Sequence, residues 1–169
     1  GGYVLSDDDG TFWRVWPGQA TGFSPNALRW SVPDSGLSDG FFYTAWTLGE
    51  RCFTTLDITG DGLVDLVQTA DSARQGGYVW RDDRGSFWKV WPGSGRGFAG
   101  EHRRWAVPES GLDDGFFLPS WSMGQRVFTT MDLNSDGRPD LVQTADVVRE
   151  GGFVWRDDRG PFWKVWLSR

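Results

Sequence analysis

The chain repeats itself, and this limits its possible folds more than any other feature. GGYVLSDDDGTFWRVWPG begins at Gly1, GGYVWRDDRGSFWKVWPG at Gly76 and GGFVWRDDRGPFWKVW at Gly151, an offset of about 75 residues each time. More than half of the positions are identical between the first two copies, and no gap is needed to align them. The 169 residues therefore divide into one unit over 1–75, a second over 76–150, and the opening hairpin of a third over 151–169. A tandem unit of this size is one supersecondary block that hides its apolar faces on its neighbours.

Each unit reads as four or five short strands with no helical periodicity. In the second unit Gly76–Asp82 and Ser86–Trp91 form a hairpin across Asp83-Arg84-Gly85. Arg103–Val107 is a further strand stopped by Pro108, Arg126–Met131 enters an acidic loop, and Asp140–Thr144 leaves it. Gly 24, Trp 12 and Phe 12 against Met 2 is an all-β composition of turns and large rings. In FWKVW, Phe87, Lys89 and Trp91 point one way and Trp88 and Val90 the other. A sheet with one wet face alternates apolar with polar, whereas this one carries large apolar groups on both faces and needs cover on both.

The acidic loops carry the chemistry. The second, in FTTMDLNSDGRPDLVQTAD, offers Asp132, Asn134, Asp136 and Asp140, with Gly137 at the bend. The first, in FTTLDITGDGLVDLVQTAD, offers Asp57, Thr59, Asp61 and Asp65, with Gly62 in the same place. A short loop wound around a hard cation turns alternate side chains inward. Carboxylate, amide and hydroxyl oxygens can then surround one Ca²⁺ per loop, two per chain, with the carbonyl of Leu63 or Arg138 filling the gap. Glycine suits a bend that other residues resist. The competing reading is a plain Asp-Gly hairpin turn. An EF-hand is disfavoured, because its last ligand is a Glu at position twelve between helices, and here an Asp closes the loop between β-branched flanks.

The run [FV]-x-x-D-x-[NT]-x-D-G-x-x-D-L-V, followed by an aromatic strand, then Gly-Phe and Trp-x-Val-Pro, resembles the FG-GAP/VCBS repeat. That family's blades of four antiparallel strands build seven-bladed, calcium-binding β-propellers in integrin α-chain heads, lectins, and bacterial toxin and surface proteins. The resemblance touches essentially every part of each unit and is strongest at Asp57–Leu66 and Asp132–Leu141. These units are longer than the usual blade, through the GGYVWRDDRG hairpin, and two blades cannot close a propeller. The resemblance implies blades that complete a ring by homo-oligomerisation, or an excised piece of a longer array. The third hairpin is expected to complete a blade begun by Arg126–Asp146.

The rest of the chain narrows the function. A net charge of −6 argues against a nucleic-acid partner and suits a protein that concentrates divalent cations. Cys52 has no cysteine to pair with and reads as a small core residue. No apolar run is long enough to cross a membrane, so no membrane insertion is expected. The abrupt GGYV start lacks a signal peptide, so an upstream signal or further repeats are expected to have been removed and the location to be extracellular or the cell surface. No catalytic constellation stands out. His102 sits in the polar run GEHRR, and Asp71, Asp146, Asp82/Asp83 and Asp157/Asp158 read as strand-end and hairpin-turn acids, with glycosidase chemistry a remote alternative. The chain is therefore read as a non-enzyme. The strand residues Trp13, Trp16, Trp88, Trp91, Trp163 and Trp166 are assigned to the core. Trp46 and Trp121, one per unit in Gly- and Phe-rich loops, are the candidates for stacking a sugar, with a plug between blades as their alternative role. The leading expectation is a calcium-stabilised, multivalent, lectin-like module binding a carbohydrate or glycoprotein surface. A non-enzymatic module for protein contacts is the alternative, and a hydrolase comes third.

Overall fold

A computed structural model describes residues 5–33, 51–71, 79–108, 116–118, 121–123, 126–146 and 154–168. Every regular element among them is a strand. The first unit supplies β1 (Leu5–Asp7), β2 (Gly10–Val15), β3 (Gly18–Gln19), β4 (Gly22–Phe23), β5 (Leu28–Ser31), β6 (Arg51–Leu56) and β7 (Asp65–Asp71). The second supplies β8 (Trp80–Asp82), β9 (Gly85–Trp91), β10 (Arg103–Ala106), β11 (Phe116–Leu118), β12 (Trp121–Met123), β13 (Arg126–Met131) and β14 (Asp140–Asp146). The third hairpin gives β15 (Trp155–Asp157), β16 (Gly160–Phe162) and β17 (Lys164–Trp166).

The sheets straddle the sequence repeats. The central sheet runs β10-β9-β7-β6, with β8 also on β9, so it joins the acidic hairpin of unit one to the aromatic hairpin of unit two. Leu66 faces Trp91, Val67 faces Val90 and Gln68 faces Lys89. The same register recurs one unit later, where Leu141 faces Trp166, Val142 faces Val165 and Gln143 faces Lys164. The last strand, β17, thus joins the sheet begun by β13 and β14, while β15 and β16 pair as a separate two-stranded ladder. The first sheet, β1-β2-β5, carries the aromatic hairpin without an acidic one, and the third, β13-β14-β17, has no described counterpart of β10. These open antiparallel sheets close no barrel or ring among the described residues.

Both faces of the central sheet are covered, as the FWKVW pattern requires. On one side Phe53, Leu66 and Trp91 cluster with Phe98 and Val32 against Trp13 and Trp30 of the first sheet. On the other, Val67, Trp88, Val90 and Val107 cluster with Phe128 and Leu141 of the third sheet, with Trp105 and Trp166 packed alongside. Phe128, Leu141 and Trp166 occupy the positions that Phe53, Leu66 and Trp91 hold one unit earlier. One kind of face therefore meets the other kind on the preceding sheet, twice over.

The Gly97-Phe98 dipeptide after β9 fastens this stack. Ser31 bridges Gly97, and the Phe98 amide donates to the Ser31 carbonyl at 3.0 Å. The Phe98 ring then stands edge-on to Trp13 and Trp30, with centroids 5.6 and 5.9 Å away. Only glycine fits at position 97, because a Cβ there would lie 2.8 Å from the Ser31 carbonyl oxygen. The core assignment of the strand tryptophans needs correction at both ends. Trp88 and Trp91 are buried, but Trp16 and Trp163 are about half exposed, at 48% and 51%. Cys52 is buried beside Ala70, as expected of a small core residue.

Candidate functional site

The two acidic loops connect β6 to β7 and β13 to β14, and they adjoin. A Cβ at Gly60 would lie 2.5 Å from Cγ of Arg138, so the Arg138 side chain crosses the first loop. Both loops bend through glycines at positive φ, Gly62 at 82° and Gly137 at 84°. The residue two before each takes the same left-handed backbone, Gly60 at 73° and Ser135 at 61°. Serine there is the one non-glycine with positive φ among the described residues.

Each carboxylate has a defined backbone task. Asp57 Oδ1 accepts the amides of Gly60 (2.7 Å) and Asp61 (3.1 Å), and Oδ2 accepts that of Gly62 (2.8 Å). Asp61 Oδ1 accepts Leu63 N–H at 2.9 Å. In the second loop Asp132 accepts from Asp136 (3.1 Å) and Gly137 (3.0 Å), and Asp136 accepts from Arg138 (2.9 Å). Asn134 bonds both ways with Asp136, its Nδ2 donating at 2.8 Å and its Oδ1 accepting the amide at 3.0 Å. The first and third acids thus fix the turn, as side chains of this type do in Asx-turns.

The last acid of each loop does something the sequence did not reveal. Asp65 is fully buried. Its Oδ2 accepts the amides of Ile58 and Thr59, both at 3.1 Å, and Oδ1 accepts Gly93 N–H at 2.8 Å. Asp140 is equally buried, accepting Leu133 N–H (3.0 Å) on Oδ2, and Ser168 N–H (3.0 Å) and Oγ–H (3.4 Å) on Oδ1. Each therefore ties the start of its loop to the segment that follows the aromatic strand of the next unit. The only trace in sequence is the equal separation of Asp65 from Gly93 and Asp140 from Ser168, 28 residues in each case.

As a metal centre the donor set is chemically apt: it is all hard oxygen, and one oxygen is left over. Thr59 Oγ1 is buried and has no hydrogen-bond partner. A carboxylate oxygen that accepts one amide also keeps a lone pair, as Asp57 Oδ2, Asp61 Oδ1 and Asp65 Oδ1 do. Among the described residues no three acidic, histidine or cysteine side chains are gathered in a metal-binding arrangement. The Asp57, Asp65 and Asp132 carboxylates are held by the amides of their own surroundings instead.

Of the other candidates, Trp46 lies outside the described residues, as does the side chain of Trp121, whose backbone opens β12 opposite Leu118. His102 is exposed but its ring lies 5.4 Å from that of Trp91, and partial burial, then the Lys89 charge, lower its pKa. Asp82 caps Arg84 N–H at 2.9 Å as a turn acid and also takes a two-pronged hydrogen bond from Arg104, at 2.9 Å on each oxygen. The Arg104 guanidinium lies over Phe87, 4.9 Å from its centroid, and Arg29, Asp7 and Phe12 repeat the arrangement in unit one. These hydrogen bonds hold the Asp7 and Asp82 carboxyls below the usual aspartate value. The Asp-Arg pairs brace hairpins. Comparison with family profiles, curated proteins and solved structures gave no match for this chain.

Proposed function

We propose that this chain is a non-catalytic binding module of the propeller-blade type, stabilised by Ca²⁺ in its two acidic turns and carrying carbohydrate on its repeated aromatic segments around Trp46 and Trp121. The observation that carries the cation part is the twin construction of the turns. Two loops of different sequence share the same glycine bends and the same carboxylate roles, and in the first an oxygen, Thr59 Oγ1, is buried without a partner. Asp57, Thr59, Asp61, the Leu63 carbonyl and Asp65 would hold one ion. Asp132, Asn134, Asp136, the Arg138 carbonyl and Asp140 would hold the other. When bound, Ca²⁺ supplies positive charge that offsets the clustered carboxylates. The loop amides keep the first and third acids pointed into the turn, and the buried Asp65 and Asp140 anchor each turn to the next aromatic strand.

Support for the sugar part is the supply of one further tryptophan per unit, Trp46 and Trp121, in a chain whose strand tryptophans already fill the core of its central sheet; Trp121, expected in a loop, instead opens the short strand β12. Shallow sites at unit spacing gain by avidity. Secretion to an extracellular setting fits millimolar-range calcium turns. The test is a glycan array probed with and without chelator, alongside the variant carrying Trp46→Ala and Trp121→Ala. Calcium-dependent glycan signal lost in the double variant is expected. No signal with calcium present contradicts the carbohydrate part, and a melting point indifferent to calcium contradicts the cation part. The second reading, a module for protein contacts, is favoured by the aromatic side chains left bare at the two ends of the stack.

A further inference from the structure

The faces that meet inside the chain are each left uncovered once. In the interior contact, Trp91 and Phe98 of the central sheet pack on Trp13 and Trp30 of the first. Their counterparts one unit earlier are Trp16, just after β2, and Phe23 of β4, and these are 48% and 78% exposed, against 4% and 8% for Trp91 and Phe98. At the other end, Val165 of the third sheet and Trp163, just before its strand β17, are 40% and 51% exposed, whereas Trp88 and Val90, at the same places on the central sheet, are covered by the third. So one end of the stack presents the inserting face, and the other presents the receiving face. Neither bare patch is a scatter of unrelated side chains, because each matches residues buried one unit along.

We infer that the chain associates head to tail with a second copy, the Trp16 and Phe23 face of one seated on the Trp163 and Val165 face of the other. The contact continues the sheet-on-sheet packing already present within the chain, with Phe23 entering beside Trp163 as Phe98 enters beside Trp13. The occupant is a copy of this chain because the receiving surface is built from the same FW-x-V-W strand that receives Phe98. The interface is heterologous, with one inserting and one receiving face per copy, so it propagates until the ends meet. Burying one phenylalanine ring contributes roughly a 30-fold change in affinity, about 2 kcal/mol at 1.4 kcal/mol per tenfold. This inference needs neither the cation nor the sugar.

The experiment uses Phe23→Asp, which spoils the inserting face, and Trp163→Asp, which spoils the receiving one. Both side chains are exposed, so both variants are expected to keep the wild-type far-ultraviolet circular dichroism and a cooperative unfolding transition. By light scattering the wild type is expected at multiples of the chain mass that grow with concentration, and each variant alone at the mass of one chain. An equal mixture of the two variants is expected to give a complex of twice the chain mass and no larger, since it holds one intact face of each kind. A wild type that stays monomeric, association untouched by either substitution or abolished by only one, or a mixture that remains monomeric, overturns the inference. Association that survives chelator leaves it standing while contradicting a structural role for calcium in the stack.

Discussion

Replacing Asp65 by Ala should destabilise the protein severely, whereas replacing Asp61, four residues earlier, should not. Asp65 is fully buried and three amides depend on its carboxylate: Ile58 and Thr59 at 3.1 Å and Gly93 at 2.8 Å. A hydrogen bond to a charged acceptor contributes roughly 1.5–3 kcal/mol, and an orphaned buried donor costs about 1–3 kcal/mol. Water can reach the part-buried Thr59 and Gly93 amides but not that of Ile58, so the loss is set at about 3–5 kcal/mol. At roughly 2–4 °C per kcal/mol for a chain of this size, the melting point falls by about 6–20 °C. Asp65→Asn keeps the volume but turns an amino group toward at least one amide, so it falls in between. Asp61 makes one exposed bond, to Leu63 at 2.9 Å, and Asp61→Ala should cost no more than about 1 kcal/mol. The assay is chemical and thermal unfolding in excess chelator, which removes any cation from the comparison. An Asp65→Ala protein within about 1 kcal/mol of wild type, or one no worse than Asp61→Ala, refutes the clasp.

Phe98→Ala empties a ring from between two tryptophans and should cost about 3–5 kcal/mol in denaturant unfolding, while Phe23→Ala, at the equivalent position but exposed within the single chain, should cost under about 0.5 kcal/mol, both compared in the Trp163→Asp background where association is blocked. Gly97→Ala must push Ser31 away and should destabilise by roughly 1–3 kcal/mol, against little change for Gly100→Ala, where an added methyl meets open space. Arg104 holds Asp82 in its charged form, so the pair stabilises the fold above the ordinary aspartate value of 3.8 and is lost as pH falls through the lower folded value. In Arg104→Ala the Asp82 titration followed by carboxyl-carbon NMR should move up toward 3.8, and an unmoved midpoint contradicts the pairing.

The alternation in FWKVW was enough to foresee a sheet covered on both sides, since Trp91 and Trp88 point oppositely and each finds its own cluster. The longer strands were legible too, because Asp-Gly and Pro-Gly punctuation leaves little freedom in a chain of short strands, but the two- and three-residue strands β3, β4, β11 and β12 were not, and the last two fall where a loop was expected. The partition into sheets was not legible: periodicity says where a unit repeats but not where the cycle is cut, and the central sheet takes two strands from before the unit boundary and three from after it. Treating every strand tryptophan as core failed for the same reason. Burial depends on whether a neighbouring sheet is present, and Trp16 and Trp91 sit in the same motif with different neighbours. In the loops, residue types and spacing pointed to the oxygen donors. They could not show that Asp65 and Asp140 reach across to Gly93 and Ser168, because long-range hydrogen bonds leave no local pattern.

The twin acidic turns are central to the functional reading, and isothermal titration with Ca²⁺ addresses them directly. Two sites per chain are expected, with Asp57→Asn and Asp132→Asn each leaving one, and stability rising by about 2.7 kcal/mol for each occupied site at a hundredfold excess over its dissociation constant. A chain that takes up no calcium at concentrations of about 10 mM, well above the range of extracellular modules, would mean that the turns are held by their own amides alone.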